Sequence, residues 1–128
     1  MALCIVRLGT ARLPGEGLRI GTVRRPPRGV PRAEFATGNW YDVWYPNLSP
    51  SVETMKAGQQ AVSDRDWQAF ARKFRSEMAE PDASRTLDLL VALSHLADFS
   101  VGCYCEDESR CHRSVLRALF AERGAKIG

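Results

Sequence analysis

Phe99-Ser100-Val101-Gly102-Cys103-Tyr104-Cys105-Glu106-Asp107-Glu108-Ser109-Arg110-Cys111-His112-Arg113 decides how this chain reads. Its first residues form a short apolar run rich in strand formers, and the run turns acidic at Glu106. Beyond it, Val115, Leu116, Leu119 and Phe120 recur at helical spacing. Strand, polar loop, helix is the layout in which α/β proteins present a site, because the first helical turn carries unpaired N–H groups. Here that turn sets a thiol, an imidazole and a guanidinium side by side, in Cys111, His112 and Arg113.

Upstream of this stretch the helices come first. Leu87, Leu89, Leu90, Val91 and Leu93 leave a helix from about Ser84 to Leu96 apolar nearly all round, so it is expected to be buried. Before it, Ser63-Asp64-Arg65-Asp66 is a capping-box pattern, and Trp67, Phe70, Ala71, Phe74 and Met78 line one helical face until Pro81 stops it. Ser49-Pro50 predicts the start of a shorter helix, with Ser49 as N-cap. Trp40 to Tyr45 is the densest aromatic patch and predicts a short strand. Leu3–Leu8 and Leu18–Val23 are two further strands, the first apolar enough to be buried on both faces. Gly124 closes the last helix.

Strands separated by helices argue for a three-layer α/β fold, a small and mostly parallel sheet covered by helices on both faces. With 128 residues, 1–128 reads as a single domain. Apolar content of 45% and charged content of 26% are ordinary for a globular protein, and the net charge of +3 is mild. No apolar run approaches the roughly 20 residues that span a bilayer, so no membrane partner is expected. Three of the four cysteines fall within nine residues, which is no disulfide framework and points to a reduced, cytoplasmic protein.

The basic residues are dispersed except for Arg24, Arg25, Arg28 and Arg32, in a loop stiffened by Pro26, Pro27 and Pro31. That loop leaves the carboxyl end of a strand, as the Cys-His-Arg turn does. Both should therefore meet at the carboxyl edge of the sheet, where open α/β sheets bind their ligands. Cys111, flanked by cations at a helix start, is the candidate nucleophile or redox thiol, and His112 the candidate acid/base. Arg24, Arg28 and Arg113 are the candidate clamp for an anionic small molecule, phosphorylated or nucleotide-like. A non-catalytic module binding nucleic acid or a protein partner, through the arginine loop and the aromatic patch, is the alternative. Cys4 and Cys103 can also be read as small buried hydrophobes, and His95 as structural.

A metal site fits the spacing poorly. Zinc knuckles pair ligands two to four residues apart. Cys103-x-Cys105 on a strand points its thiols to opposite faces, and Cys111-His112 on a helix are separated by about 100°. Neither a metal nor a cofactor is expected.

Several segments together resemble the YeaO-like family of uncharacterised proteins. They are Gly17-Leu18-Arg19-Ile20 with Arg24 and Pro27-Arg28-Gly29-Val30, then Trp44 with Ser49-Pro50-Ser51, Trp67-x-x-Phe70-x-x-x-Phe74 with Glu77-Met78, and finally Asp107-Glu108 with Cys111-His112. The resemblance covers nearly the whole chain and implies a compact α/β domain without an assigned reaction. Some members carry Asn-His where this chain has Cys111-His112, which makes His112 the firmer of the two functional residues.

Overall fold

The computed structural model describes residues 2–128, so that of the expected domain 1–128 only Met1 lies outside the described residues. Its elements are β1 (Leu3–Arg7), β2 (Leu18–Gly21), β3 (Val43–Trp44), α1 (Val52–Gln59), α2 (Asp64–Met78), α3 (Pro81–Ser94), β4 (Phe99–Cys103) and α4 (His112–Glu122). The fold is α/β. The four strands form one sheet in the order β1-β4-β2-β3, and every neighbouring pair is parallel.

β4 is central and buried along its length, which the apolar run at Phe99–Cys103 requires. β1 sits beside it in register from Leu3 opposite Phe99 to Arg7 opposite Cys103. β1 is only half-buried, contrary to the expectation from its composition. Its outer side is covered by little more than the chain end, where Leu3 N–H donates to Lys126 and Gly128 N–H to Leu3.

Leu3, Ile20, Phe99 and Val101 join buried side chains of α2, α3 and α4 in the main core, among them Phe74, Leu87, Leu116 and Phe120. The opposite face carries Arg19, Gly21, Ser100 and Gly102. It is covered by irregular chain, because a Cβ at Gly21 would lie 2.4 Å from the Tyr41 ring and Arg19 bonds the carbonyls of Thr10 and Asn39. Both faces of the sheet are thus covered, with all of the core helices on one of them.

The α2 capping box is present, Ser63 and Asp66 each bonding the other's backbone N–H. Ser51, not Ser49, caps α1. Pro81 does more than stop α2, for it occupies the first turn of α3, where a missing N–H costs nothing. α3 is not buried all round. Leu87 and Leu90 face the core, while Leu89 is 60% and Leu93 38% exposed. Among the described residues no helix is long and apolar enough to cross a membrane.

Candidate active site

Three strand ends and the start of α4 enclose one cleft of about 950 Å³. Arg7 and Gly9 line it from the end of β1, Arg24, Arg25 and Arg28 from the end of β2, and Cys103 to Cys105 from the end of β4. Cys111 and His112 line it from the α4 start, with Trp40 and Trp67 as aromatic walls. The arginine loop and the Cys-His turn therefore share one pocket at the carboxyl edge of the sheet, where the topology places it.

Cys111 is not inside the helix. It is the N-cap residue, with φ −128° and ψ 151°, and His112 is the first helical residue. The extended backbone removes the angular separation expected between neighbours on a helix, and Cys111 Sγ lies 3.9 Å from His112 Nδ1. The other ring nitrogen, Nε2, is 2.7 Å from the Thr22 carbonyl oxygen. A carbonyl only accepts, so Nε2 carries the hydrogen. In the neutral ring Nδ1 then presents its lone pair to the thiol. Phe74 meets the imidazole edge to face at 5.5 Å and holds its plane.

The thiols at the end of β4 also converge. β4 ends at Cys103, and a bend at Tyr104 turns Cys105 back, so that the Cys103 and Cys105 sulfurs stand 3.7 Å apart. Two contacts hold the bend: Tyr104 O–H donates to the Arg25 carbonyl and Arg7 Nε–H to the Tyr104 carbonyl. The expectation that these thiols diverge fails because the strand stops one residue too early for its alternation to apply.

Hydrogen bonds from Cys103 and Cys105 hold the Cys111 thiol far below its ordinary value, against the opposing effect of burial and with His112 adding to the shift. Cys103 is pushed far up, first by Cys105, then by Cys111 and by burial. For Cys105 the Cys103 contact lowers and Cys111 and burial raise, with a net rise. Cys111 is therefore the most acidic of the three thiols. It is only 2% exposed, yet it forms part of the cleft floor.

The three expected clamp residues are placed differently. Arg28 is exposed on the cleft wall. Arg24 also lines the cleft, but its guanidinium donates to the carbonyls of Ser49 and Pro50 and so ties the arginine loop to the start of α1. Arg113 is 4% exposed, does not line the cleft, and donates to the Cys105 carbonyl at 2.5 Å. It supports the bend. Arg25, Arg7 and Arg110 line the cleft as well, and only Arg25 was flagged by the charge cluster in the sequence. Arg110 lies 5.8 Å over the Trp67 ring and pairs with Asp64. His95 is structural as expected, its Nε2 2.9 Å from the Gly124 carbonyl.

The loop between β4 and α4 is a built structure. Asp107 accepts from Ser109 N–H and Oγ, which caps a 3-10 turn at Glu108–Arg110. Glu108 pairs with Arg117 of α4 through two bonds of 2.7 and 2.8 Å. Such bidentate pairing fixes direction as well as distance, and it presents the Cys111 backbone at the cleft floor.

Comparison with known proteins identifies the family of the chain. Residues 3–124 match the model of DUF488-N3a, described as the active DUF488-N3 subclade. No curated protein and no solved structure matches the chain. The match takes in every strand, every helix and the whole Cys-His-Arg turn, so the chain belongs to the DUF488 family, in its DUF488-N3a subclade.

Proposed function

We propose that this chain is a cytoplasmic enzyme of the thiol–imidazole type acting on an anionic small molecule, phosphate- or nucleotide-like. The observation that carries this reading is the pairing of Cys111 Sγ with the lone-pair nitrogen of His112, whose other nitrogen is fixed on Thr22. A nucleophile, a base and a group that orients the base is the arrangement shared by activated-thiol enzymes. The description of the subclade as active agrees with it. The chain also resembles the YeaO-like family in its Cys-His-Arg form.

In this reading Cys111 attacks an electrophilic centre of the ligand as thiolate, and His112 Nδ1 takes the thiol proton and returns it to the leaving group. The first amides of α4, which no helical carbonyl can reach, face the developing charge. Arg25 and Arg28 hold the anionic part, since neither has an ion-pair partner among the described residues. Trp40, Tyr104 and Trp67 offer a planar group something to stack on. The cleft volume falls within the range of about 300–1,000 Å³ common to small-ligand sites.

The test is site-resolved alkylation of the reduced protein with iodoacetamide at neutral pH. Cys111 should react faster than Cys4 or Cys103, and His112→Ala should slow it at least tenfold. A nucleoside diphosphate should protect Cys111, and Arg28→Ala should weaken that protection. Cys111 emerging as the slowest thiol would overturn the reading. Binding that collapses steeply with salt, with a slope of several phosphates, would favour a nucleic-acid module instead.

A further inference from the structure

Three donor atoms, on Cys103, Cys111 and His112, converge at the cleft floor, and the Cys105 sulfur stands beside the first of them. Cys103 Sγ and Cys105 Sγ are 3.7 Å apart, and Cys111 Sγ and His112 Nδ1 are 3.9 Å apart. The ligand atoms of Cys103, Cys111 and His112 all lie within 4.8 Å of one another, and all three residues are buried. Around a tetrahedral zinc ion with Zn–S bonds of about 2.3 Å, two thiolates stand about 3.8 Å apart, and a thiolate and an imidazole nitrogen about 3.6 Å. The two closest separations match those edges to within a few tenths of an ångström.

Two further observations belong to a metal centre. Metal-binding histidines donate their remote N–H to a carbonyl or carboxylate, which fixes the tautomer and aims the free nitrogen. His112 does this through Nε2 and the Thr22 carbonyl. Three thiolates and a neutral imidazole leave a zinc centre with one net negative charge, and a buried charge needs a partner. Arg113 is the buried cation beside it, bonded to the Cys105 carbonyl and with its Nε–H buried and unpaired.

We propose that Cys103, Cys105, Cys111 and His112 Nδ1 form a Cys3His site for Zn²⁺. Three sulfurs and an imidazole select a soft or borderline ion with tetrahedral preference. Binding forms three Zn–S bonds and one Zn–N bond, and any protons still on the thiols leave to solvent. The site shares Cys111 and His112 with the thiol–imidazole pair, so the zinc-loaded chain is inert toward electrophiles and the metal-free chain is the reactive form. This regulatory half rests on the proposed function, whereas the metal site itself does not.

The experiment titrates the reduced, metal-free full chain with Co²⁺ and then with Zn²⁺, and follows Cys111 alkylation alongside. One Co²⁺ per chain should give thiolate-to-cobalt charge transfer and tetrahedral d–d bands, and one equivalent of Zn²⁺ should abolish both. Cys105→Ser, at an exposed position, should lose about a third of the charge-transfer intensity, as one thiolate of three, and bind at least tenfold more weakly. Cys103→Ser should also bind at least tenfold more weakly, and Cys4→Ser should titrate like the wild type. Absence of the charge-transfer band, or a Cys105→Ser titration identical to the wild type, overturns the site. Stoichiometric Zn²⁺ should slow Cys111 alkylation at least tenfold, and undiminished alkylation of the zinc-bound chain overturns the exclusion of one form by the other. Fast alkylation without cobalt binding removes the metal site and keeps the enzyme. Cobalt binding with a metal-free Cys111 that does not react removes the enzyme and keeps the metal site.

Discussion

Arg19 has no solvent exposure, and neither does the bond it makes. Its Nε and Nη2 donate to the two carboxylate oxygens of Glu16 at 3.1 and 2.9 Å, and Nη1 donates to the carbonyls of Thr10 and Asn39. The guanidinium thereby pins the β1–β2 connection and the Tyr41 segment to one face of the sheet. Removing one partner of a buried ion pair leaves an uncompensated charge, at about 3–5 kcal/mol. Glu16→Gln should lose stability of that order in urea unfolding. Glu122→Gln, which breaks the exposed pair with Arg75, should lose far less. Equal losses for the two variants would refute the buried-pair account.

α1 has little apolar surface of its own and depends on Glu77 of α2. That carboxylate accepts from Ser51 N–H at 2.9 Å, Ser51 Oγ at 2.6 Å and Thr54 Oγ1 at 2.7 Å. Burial by itself raises the Glu77 pKa, but these donors and the Arg24 charge outweigh it and hold the group below its ordinary value. A carboxyl depressed in the folded state contributes stability above its unfolded pKa of about 4.3, which is lost as pH falls through the lower folded value. Glu77→Gln should therefore destabilise by about 1–3 kcal/mol at pH 7. The gap to the wild type should narrow as pH falls below the unfolded value of about 4.3 and through the lower native one, where the native carboxyl protonates. Urea melts of both proteins at pH 7 and pH 3 check this, and a gap independent of pH would rule out the charged acceptor.

At the scale of the whole molecule, the short connection from β1 to β2 has one position that tolerates only glycine. Gly17 enters β2 with φ +77°, and a Cβ there would lie 2.0 Å from the Asp98 carbonyl oxygen. Gly15 in the same connection has φ +74° and nothing within 4 Å. Gly15→Ala should cost only the backbone strain, about 1–3 kcal/mol. Gly17→Ala should cost clearly more, because strand entry must also move away from the start of β4. The difference between their urea midpoints isolates that close approach, and equal midpoints would show that the chain shifts there without cost.

Periodicity and turn chemistry carried the parallel α/β layout, the α2 capping box, the α4 stop at Gly124 and the meeting of the arginine loop with Cys111 and His112. Each follows from local pattern together with the rule that places sites beyond strand ends. Composition could not decide which side of a helix faces inward, so α3 read as buried although Leu89 and Leu93 are exposed. Nor does strand alternation say where a strand stops. β4 ends at Cys103 because Leu8 N–H takes the Cys103 carbonyl and the Tyr104 contacts turn the chain, which brings Cys105 back beside Cys103. The Thr22 carbonyl that selects the His112 tautomer lies 90 residues away in the chain, and the Arg19–Glu16 pair owes its burial to loops folding over the sheet. Residue types and their order were local properties. The direction of each donor was a product of long-range contacts, and that direction determines the chemistry of the cleft.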